Sequence, residues 1–142
     1  MSAKILWFTG LSGVGKSTIV NKLNKKLKQK YKVLIIDGDK FRKKNKNNNS
    51  FNKSNILKNN YLIISEIWKI KNKYDYILVA VISPLSKSRL FAKKIFKDKY
   101  YEIYLYCKID TLVKRDPKKL YFKAQNNLIN LIGFNSKIKY EK

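Results

Sequence analysis

A continuous apolar run, a glycine-rich turn and an amphipathic segment follow one another at the start of the chain. The run Ile5-Leu-Trp-Phe-Thr9 is ended by glycine, which is typical of a buried strand. In residues 16–30, Ile19, Leu23 and Leu27 recur every four residues and predict a helix with one apolar stripe. A buried strand joined to a helix by a short turn is typical of an α/β fold.

The turn itself, Gly10-Leu-Ser-Gly-Val-Gly-Lys-Ser17, matches the P-loop pattern in full. Its glycines let backbone N–H groups face phosphate oxygens, and the next helix directs its positive end to the same point. Lys16 is expected to contact the β- and γ-phosphates of ATP, and the Ser17 hydroxyl to bind Mg²⁺. The candidate nucleotide-binding residues are Gly10, Leu11, Ser12, Gly13, Val14, Gly15, Lys16, Ser17 and Thr18.

The rest of the chain alternates apolar runs with helix-periodic segments. We expect further strands at residues 33–37, 76–82 and 101–106, and helices at 56–71, 86–96 with Ser86 as N-cap, 110–116 and 120–131. Such alternation predicts an open parallel sheet of the P-loop NTPase type with helices on both faces, a three-layer α/β/α arrangement. The length fits a single domain over residues 1–142, with a mobile Asn/Lys-rich loop near 45–53.

Composition narrows the chemistry that this fold can perform. The chain has no histidine, which excludes histidine triads, histidine metal sites and histidine general bases. Its single cysteine, Cys107, cannot form an internal disulfide, and no apolar run approaches the roughly 20 residues that span a bilayer. We therefore expect a cytoplasmic protein without membrane contact.

The formal net charge of +24 has two interpretations. It suits a polyanionic partner such as nucleic acid, or it reflects a compositional bias toward lysine and asparagine. The lysines are scattered along the chain, which favours the bias, so a nucleic-acid partner is not expected although the charge keeps that alternative open.

Two carboxylates, Asp37 and Asp39, follow the second predicted strand with a glycine between them. Ligands bind at this edge of an open parallel sheet. One carboxylate could hold Mg²⁺ and the other could accept a proton from an attacking hydroxyl, whereas a turn or helix N-cap is the structural alternative. Arg42 is a candidate anion clamp, and the cation-rich segment at residues 115–121 is a candidate lid.

Taken together, these segments resemble the adenylylsulfate kinase family, P-loop kinases that phosphorylate the 3′-hydroxyl of adenosine 5′-phosphosulfate (APS). The similar segments are residues 7–18, 36–42, 81–84 and 115–124, within a resemblance that extends from about residue 4 to residue 134. Residues 115–124 are the most specific, because generic P-loop kinases lack that segment.

The resemblance implies ATP-dependent transfer of the γ-phosphoryl to APS, which yields 3′-phosphoadenylylsulfate and activates sulfate for assimilation. It implies catalytic roles for Lys16, Asp37 and Asp39, with Asp39 as base, and places Mg²⁺ at Ser17 and Asp37. Arg115 would lie on the ATP side, in a lid near 115–134. The implied substrate contacts are Arg42, Phe51, Asn60, Ile82, Ser83, Lys118, Lys123 and Phe134. A homodimer is left open.

The chain departs from the family in the segment after Phe51, where an acceptor-binding arginine of the family has no counterpart. Two alternatives therefore stay open beside transfer to APS. One is a P-loop kinase that acts on another small acceptor. The other is a basic nucleotide-binding module with impaired catalysis.

Overall fold

The computed structural model describes residues 1–45 and 52–142, where four parallel strands form one sheet in the order β2-β3-β1-β4. The strands are β1 (Lys4–Thr9), β2 (Val33–Asp37), β3 (Tyr76–Ala80) and β4 (Tyr100–Tyr104). The helices are α1 (Lys16–Leu27), α2 (Gly38–Lys44), α3 (Lys53–Ile70), α4 (Ser86–Phe96), α5 (Ile109–Arg115) and α6 (Leu120–Gln125). The predicted fold class is confirmed.

The side chains of each strand alternate between two apolar layers, as the pleat of a strand requires. On one face Trp7, Ile77 and Val79 pack against α3 and α4, and on the other Phe8 and Leu78 pack against α1. Helices therefore cover both faces of the sheet, which explains why the strands read as continuous apolar runs.

The parallel register brings the carboxyl ends of neighbouring strands to one edge. Phe8 of β1 lies opposite Ala80 of β3, and Asp37 of β2 also lies opposite Ala80. The P-loop, the Asp37–Asp39 turn and the exit of β3 consequently begin side by side.

The apolar stripe of α1 differs by one position from the prediction. Ile19 is 41% exposed, whereas Val20 is buried and packs with Leu23 and Leu27. The spacing of 20, 23 and 27 mixes steps of three and four residues, which follows the 3.6-residue turn more closely than a constant step of four.

Several element boundaries also differ from the predictions. Ser86 is the first residue of α4 rather than its N-cap, and Leu85 occupies the cap position. The helix α2 was not predicted as an element, and α6 ends at Gln125, well before residue 131. Strand β3 ends at Ala80 instead of 82, and β4 ends at Tyr104 instead of 106.

The predicted loop near 45–53 falls mostly on residues 46–51, which lie outside the described residues. Its mobility stays a prediction. In the described parts of the chain, no helix is long and apolar enough to cross a membrane. The cytoplasmic location likewise stays a prediction.

Close packing at Gly38 generates a stability prediction. A Cβ atom at this position would lie 2.7 Å from Cγ2 of Val81, so Gly38→Ala should force a backbone shift between β2 and β3. We expect a loss of about 1–3 kcal/mol in the free energy of unfolding, measured by urea denaturation. The double variant with Val81→Ala should lose less than the sum of the two single variants, because the smaller side chain makes room; additive losses would contradict the argument.

Candidate active site

The candidate site is a cleft of about 170 Å³ at the carboxyl edge of β1, β2 and β3. The P-loop, the first turns of α1 and α2, the exit of β3 and the segment before α6 form its walls. Many of the predicted site residues line this cleft: Ser12, Gly13, Gly15, Lys16, Ser17, Thr18, Asp37, Asp39, Arg42, Ile82 and Lys118.

The P-loop backbone wraps closely around the Lys16 side chain. Nζ of Lys16 donates hydrogen bonds of 2.8 Å to the carbonyl oxygens of both Gly10 and Leu11. Gly10 has φ +143°, and a Cβ atom there would lie 2.3 Å from the carbonyl oxygen of Leu105. The loop therefore requires glycine at Gly10, and the carbonyl oxygens of Gly10 and Leu11 fix the ammonium group in the loop.

Burial lowers the pKa of Lys16 from 10.5 to about 8, which is the largest effect on this group. The charge of Asp39 opposes that shift, the charge of Lys118 adds to it, and Asp37 opposes it more weakly. The charged form is thus poorly solvated in the free protein, and a bound polyphosphate would stabilise it.

Asp37 is the N-cap of α2, which is the structural alternative that the sequence left open, and it also faces the P-loop. Its Oδ1 accepts hydrogen bonds from the backbone N–H groups of Asp39 (3.0 Å) and Lys40 (3.1 Å), which caps α2. Its Oδ2 accepts one from the Ser17 hydroxyl at 3.2 Å. The cap orients the carboxylate so that its second oxygen faces the P-loop.

The oxygen atoms of Ser17 and Asp37 fit Mg²⁺, which prefers hard oxygen ligands and keeps several waters and phosphate oxygens in its shell. Among residues 1–45 and 52–142, no group of three or more acidic or thiol side chains could form a metal site from protein ligands alone. The two residues therefore suit a metal ion held largely by a nucleotide.

Asp39 lies among cations at the other side of the cleft. Its Oδ2 is 3.1 Å from Nζ of Lys118, which lies in the segment between α5 and α6. Burial lowers the pKa of Arg42, and the charge of Asp39 opposes that shift. Asp39 thus joins the turn after β2 to the predicted lid by an ion pair that spans the cleft.

The predicted lid packs directly on the P-loop. Asp116 accepts hydrogen bonds from the backbone N–H groups of Tyr121 (3.1 Å) and Phe122 (2.8 Å) and so orients the start of α6. The Tyr121 hydroxyl donates to the carbonyl oxygen of Ser12 at 2.8 Å. The Tyr121 ring contacts Phe134 edge to face, with 5.4 Å between the ring centroids.

Other predicted residues lie away from the lining of the cleft. Arg115 ends α5 and is exposed, and Lys123 is exposed on α6. Asn60 is buried, where its Nδ2 donates to the Ile56 carbonyl oxygen at 3.0 Å. Phe51 lies outside the described residues. The roles of all four stay predictions.

Two further predicted residues support the cleft from behind it. Ser83 is buried, with 1% of its surface exposed, directly after Ile82 in the cleft wall. Phe134 packs in the apolar cluster that joins α5 and α6 to Leu11 and Val14 of the P-loop. Their assignment as substrate contacts also stays a prediction.

Sequence reasoning missed Tyr121 as a contact of the P-loop. The signal was limited to the three-residue spacing of the buried residues Tyr121 and Ala124 on one face of α6. That spacing marks a packed helix face but does not identify the surface it contacts.

Sequence and structure comparisons agree with this geometry. The family model for adenylylsulphate kinase matches residues 2–142. The chain belongs to the adenylylsulfate kinase family. It is 39% identical over 141 residues to the adenylyl-sulfate kinase of Clostridium acetobutylicum, covering 97% of this chain and 69% of that protein. It is 36% identical over 137 residues to a probable adenylyl-sulfate kinase of Pyrococcus abyssi, covering 95% and 78%.

The fold is also similar to a solved structure of the family. The Mycobacterium tuberculosis APS kinase in complex with AMPPNP and APS superimposes with a TM-score of 0.87 and 29% sequence identity. The match covers 99% of this chain and 83% of that chain. The predicted family and the assignment as a kinase that uses ATP are therefore confirmed.

The lowered pKa of Lys16 predicts pH-dependent nucleotide binding. Phosphates favour the ammonium form, so the pKa should rise in the complex, and binding above pH 8 should take up a proton. We expect the affinity for ATP to fall up to about tenfold per pH unit from pH 8 to 9.5. Calorimetry at pH 8.5 in two buffers of different ionisation enthalpy would measure the uptake.

Lys118→Met provides the control for this prediction. The charge of Lys118 lowers the pKa of Lys16, so its removal should move the onset of the pH dependence upward. A dissociation constant for ATP that does not change between pH 8 and pH 9.5 would contradict the assignment of Lys16 as a phosphate contact with a lowered pKa.

The hydrogen bond from Tyr121 to Ser12 predicts a selective effect on the ATP side. Tyr121→Phe keeps the ring contact with Phe134 and removes only the hydroxyl, so the Ser12 carbonyl loses its partner. We expect KM for ATP to rise about 2–10-fold in steady-state kinetics, as for one lost hydrogen bond. Tyr76→Phe, at the amino end of β3, is the matched control. A lower melting temperature with unchanged KM for ATP would count against the role.

Proposed function

We propose that the protein transfers the γ-phosphoryl of ATP to the 3′-hydroxyl of APS, which forms 3′-phosphoadenylylsulfate. One observation carries the proposal: a single cleft contains the P-loop lysine, the Ser17–Asp37 pair and a carboxylate, Asp39, between the cations Lys118 and Arg42. Family membership supports it, as does the similarity to a relative solved with AMPPNP and APS.

The P-loop side of the cleft binds and orients ATP. Lys16 exchanges its bonds to the Gly10 and Leu11 carbonyls for charge-assisted bonds to phosphate oxygens, which are the stronger acceptors. The N-terminus of α1 adds backbone N–H groups directed at the same anion. Ser17 and Asp37 would hold Mg²⁺, which would supply positive charge to neutralise the phosphates.

Asp39 is the base for the attacking hydroxyl. Both oxygens of Asp37 already accept hydrogen bonds, from the α2 backbone and from Ser17, so Asp37 is fixed. The Oδ2 atom of Asp39 accepts a hydrogen bond of 3.1 Å from the exposed ammonium group of Lys118. Movement of Lys118 toward an anionic substrate would free Asp39 to accept the hydroxyl proton.

The lid shields the transfer from water. Its start, at Pro117 and Lys118, already lines the cleft, and Tyr121 joins it to the P-loop. Arg115 and Lys123 are exposed in the free protein, and they would reach bound anionic groups through a change in the lid. Closure of this kind excludes water from the phosphoryl group in transit.

A different small acceptor is the second candidate. The acceptor-binding arginine of the family has no counterpart after Phe51, and the nearby positions Leu62 and Ile63 are apolar, with Ile63 fully buried against the sheet. Neither side chain can bind an anion. ADP release measured over a panel of hydroxylated and anionic metabolites separates the two candidates, and activity with APS alone excludes the second.

The partner predictions need their own measurements. A homodimer is left open by the sequence, and light scattering can test it. The expectation of no nucleic-acid partner also stays a prediction, and electrophoretic mobility shifts at increasing salt would test it.

The assigned base and P-loop lysine predict distinct losses. Asp39→Asn should lower kcat by about 10²–10⁴-fold, because the group that accepts the hydroxyl proton is removed. Lys16→Ala should abolish APS-dependent release of ADP, measured in a coupled assay with Mg²⁺.

Asp98→Asn is the matched control, since Asp98 is an exposed aspartate that precedes β4, at the other end of the sheet. It should retain full activity. Absence of APS-dependent ADP release from the folded wild-type protein would overturn the proposed function.

A further inference from the structure

Arg89 is a buried cation outside the cleft, with 5% of its surface exposed. Its Nε donates to Oε1 of Glu102 at 2.9 Å, and its Nη1 donates to the carbonyl oxygen of Ser83 at 2.7 Å. Its Nη2 donates to the carbonyl oxygen of Glu141. One guanidinium group thus joins α4, β4, the turn after β3 and the C-terminal segment.

The turn after β3 has a conformation that needs such support. Ser83 has φ +44°, in the left-handed region that residues other than glycine seldom adopt. Backbone of this kind persists where the surroundings hold it, and it clusters at functional sites. Two bonds hold Ser83: its carbonyl accepts from Arg89, and its hydroxyl lies 3.3 Å from that of Ser88.

The same turn forms one wall of the cleft through Ile82. The Ile82 carbonyl oxygen accepts hydrogen bonds from the Thr9 hydroxyl and from the backbone N–H of Gly10 (3.5 Å). Thr9 is also 2.9 Å from the Tyr140 hydroxyl, and the Tyr140 ring lies 4.8 Å from the Arg89 guanidinium. Arg89 therefore binds the Ser83 carbonyl directly, and it is linked to the Ile82 carbonyl through Tyr140 and Thr9.

We propose that Arg89 is a positioning residue that fixes the Ile82–Ser83 turn and thereby the acceptor-side wall of the cleft. The inference rests on the proposed function, because it assigns this wall to the acceptor and the P-loop wall to ATP. The planar guanidinium reaches three acceptors in different directions, which the single ammonium of a lysine cannot reproduce. If Arg89 served stability alone, a guanidinium group would not be needed here, because well-packed apolar residues often stabilise a core equally.

Arg89→Lys tests the proposal because it retains the charge and removes the fork. We expect KM for APS to rise about tenfold, as for a lost charged hydrogen bond, while KM for ATP stays within about twofold. A second readout needs no turnover: the δ1-methyl resonance of Ile82, in isoleucine-methyl-labelled protein, should shift.

Phe96→Leu is the matched control, since Phe96 is a buried core residue on the same helix, remote from the turn in the chain and in a different apolar cluster from Ile82. It should lower the melting temperature without changing the KM for APS or the Ile82 resonance. Equal rises of both KM values in Arg89→Lys, or an unshifted Ile82 methyl resonance, would overturn the proposal. Failure of wild-type turnover with APS would instead refute the proposed function, and the methyl resonance would still report whether Arg89 holds the turn.

Discussion

Parallel pairing of β1 with β3 on one side and β4 on the other is the constraint on which the site depends. Both pairings run in the same direction, so the chain leaves β1, β3 and β4 at a common edge, and β2 joins them through β3. Ligand sites of open parallel sheets form at that edge because the connecting segments converge there. The P-loop, Asp37 and Ile82 meet for this reason, although they are far apart in the chain.

Charge balance explains the state of the site without substrate. Lys16 is engaged by carbonyl oxygens, and Lys118 pairs with Asp39 across the cleft. The carbonyl oxygens that hold Lys16 are weaker hydrogen-bond acceptors than phosphate oxygens. The exposed ion pair of Lys118 with Asp39 can be exchanged for an ion pair with phosphate. Under the proposed function, a polyphosphate that enters the cleft would replace these contacts, and the carbonyl oxygens partly compensate the charge of Lys16 in the free protein.

Local sequence patterns predicted the existence of the strands better than the buried faces and side-chain contacts of the helices. The apolar runs identified all four strands of the described sheet, because strands of a sheet covered on both faces are rich in apolar residues. The predicted apolar stripe of α1 was wrong at Ile19, because the rotation of the helix against the sheet decides whether Ile19 or Val20 is buried. Ser86 has a capping side chain, yet it bonds Glu141 instead, a partner 55 residues away. Such contacts have no local signature.

The candidate nucleotide side of the site could be proposed from the sequence by itself, because eight consecutive residues carry the glycines, the lysine and the hydroxyl that a phosphate cradle needs. The pairing of Asp39 with Lys118 and the bond from Tyr121 to Ser12 were decided only by the tertiary structure, as was the support of Ser83 by Arg89. The physical reason is the distance along the chain between the residues that make contact. A P-loop closes on itself through its own backbone, whereas these contacts join segments that become neighbours only when the sheet and its covering helices have packed.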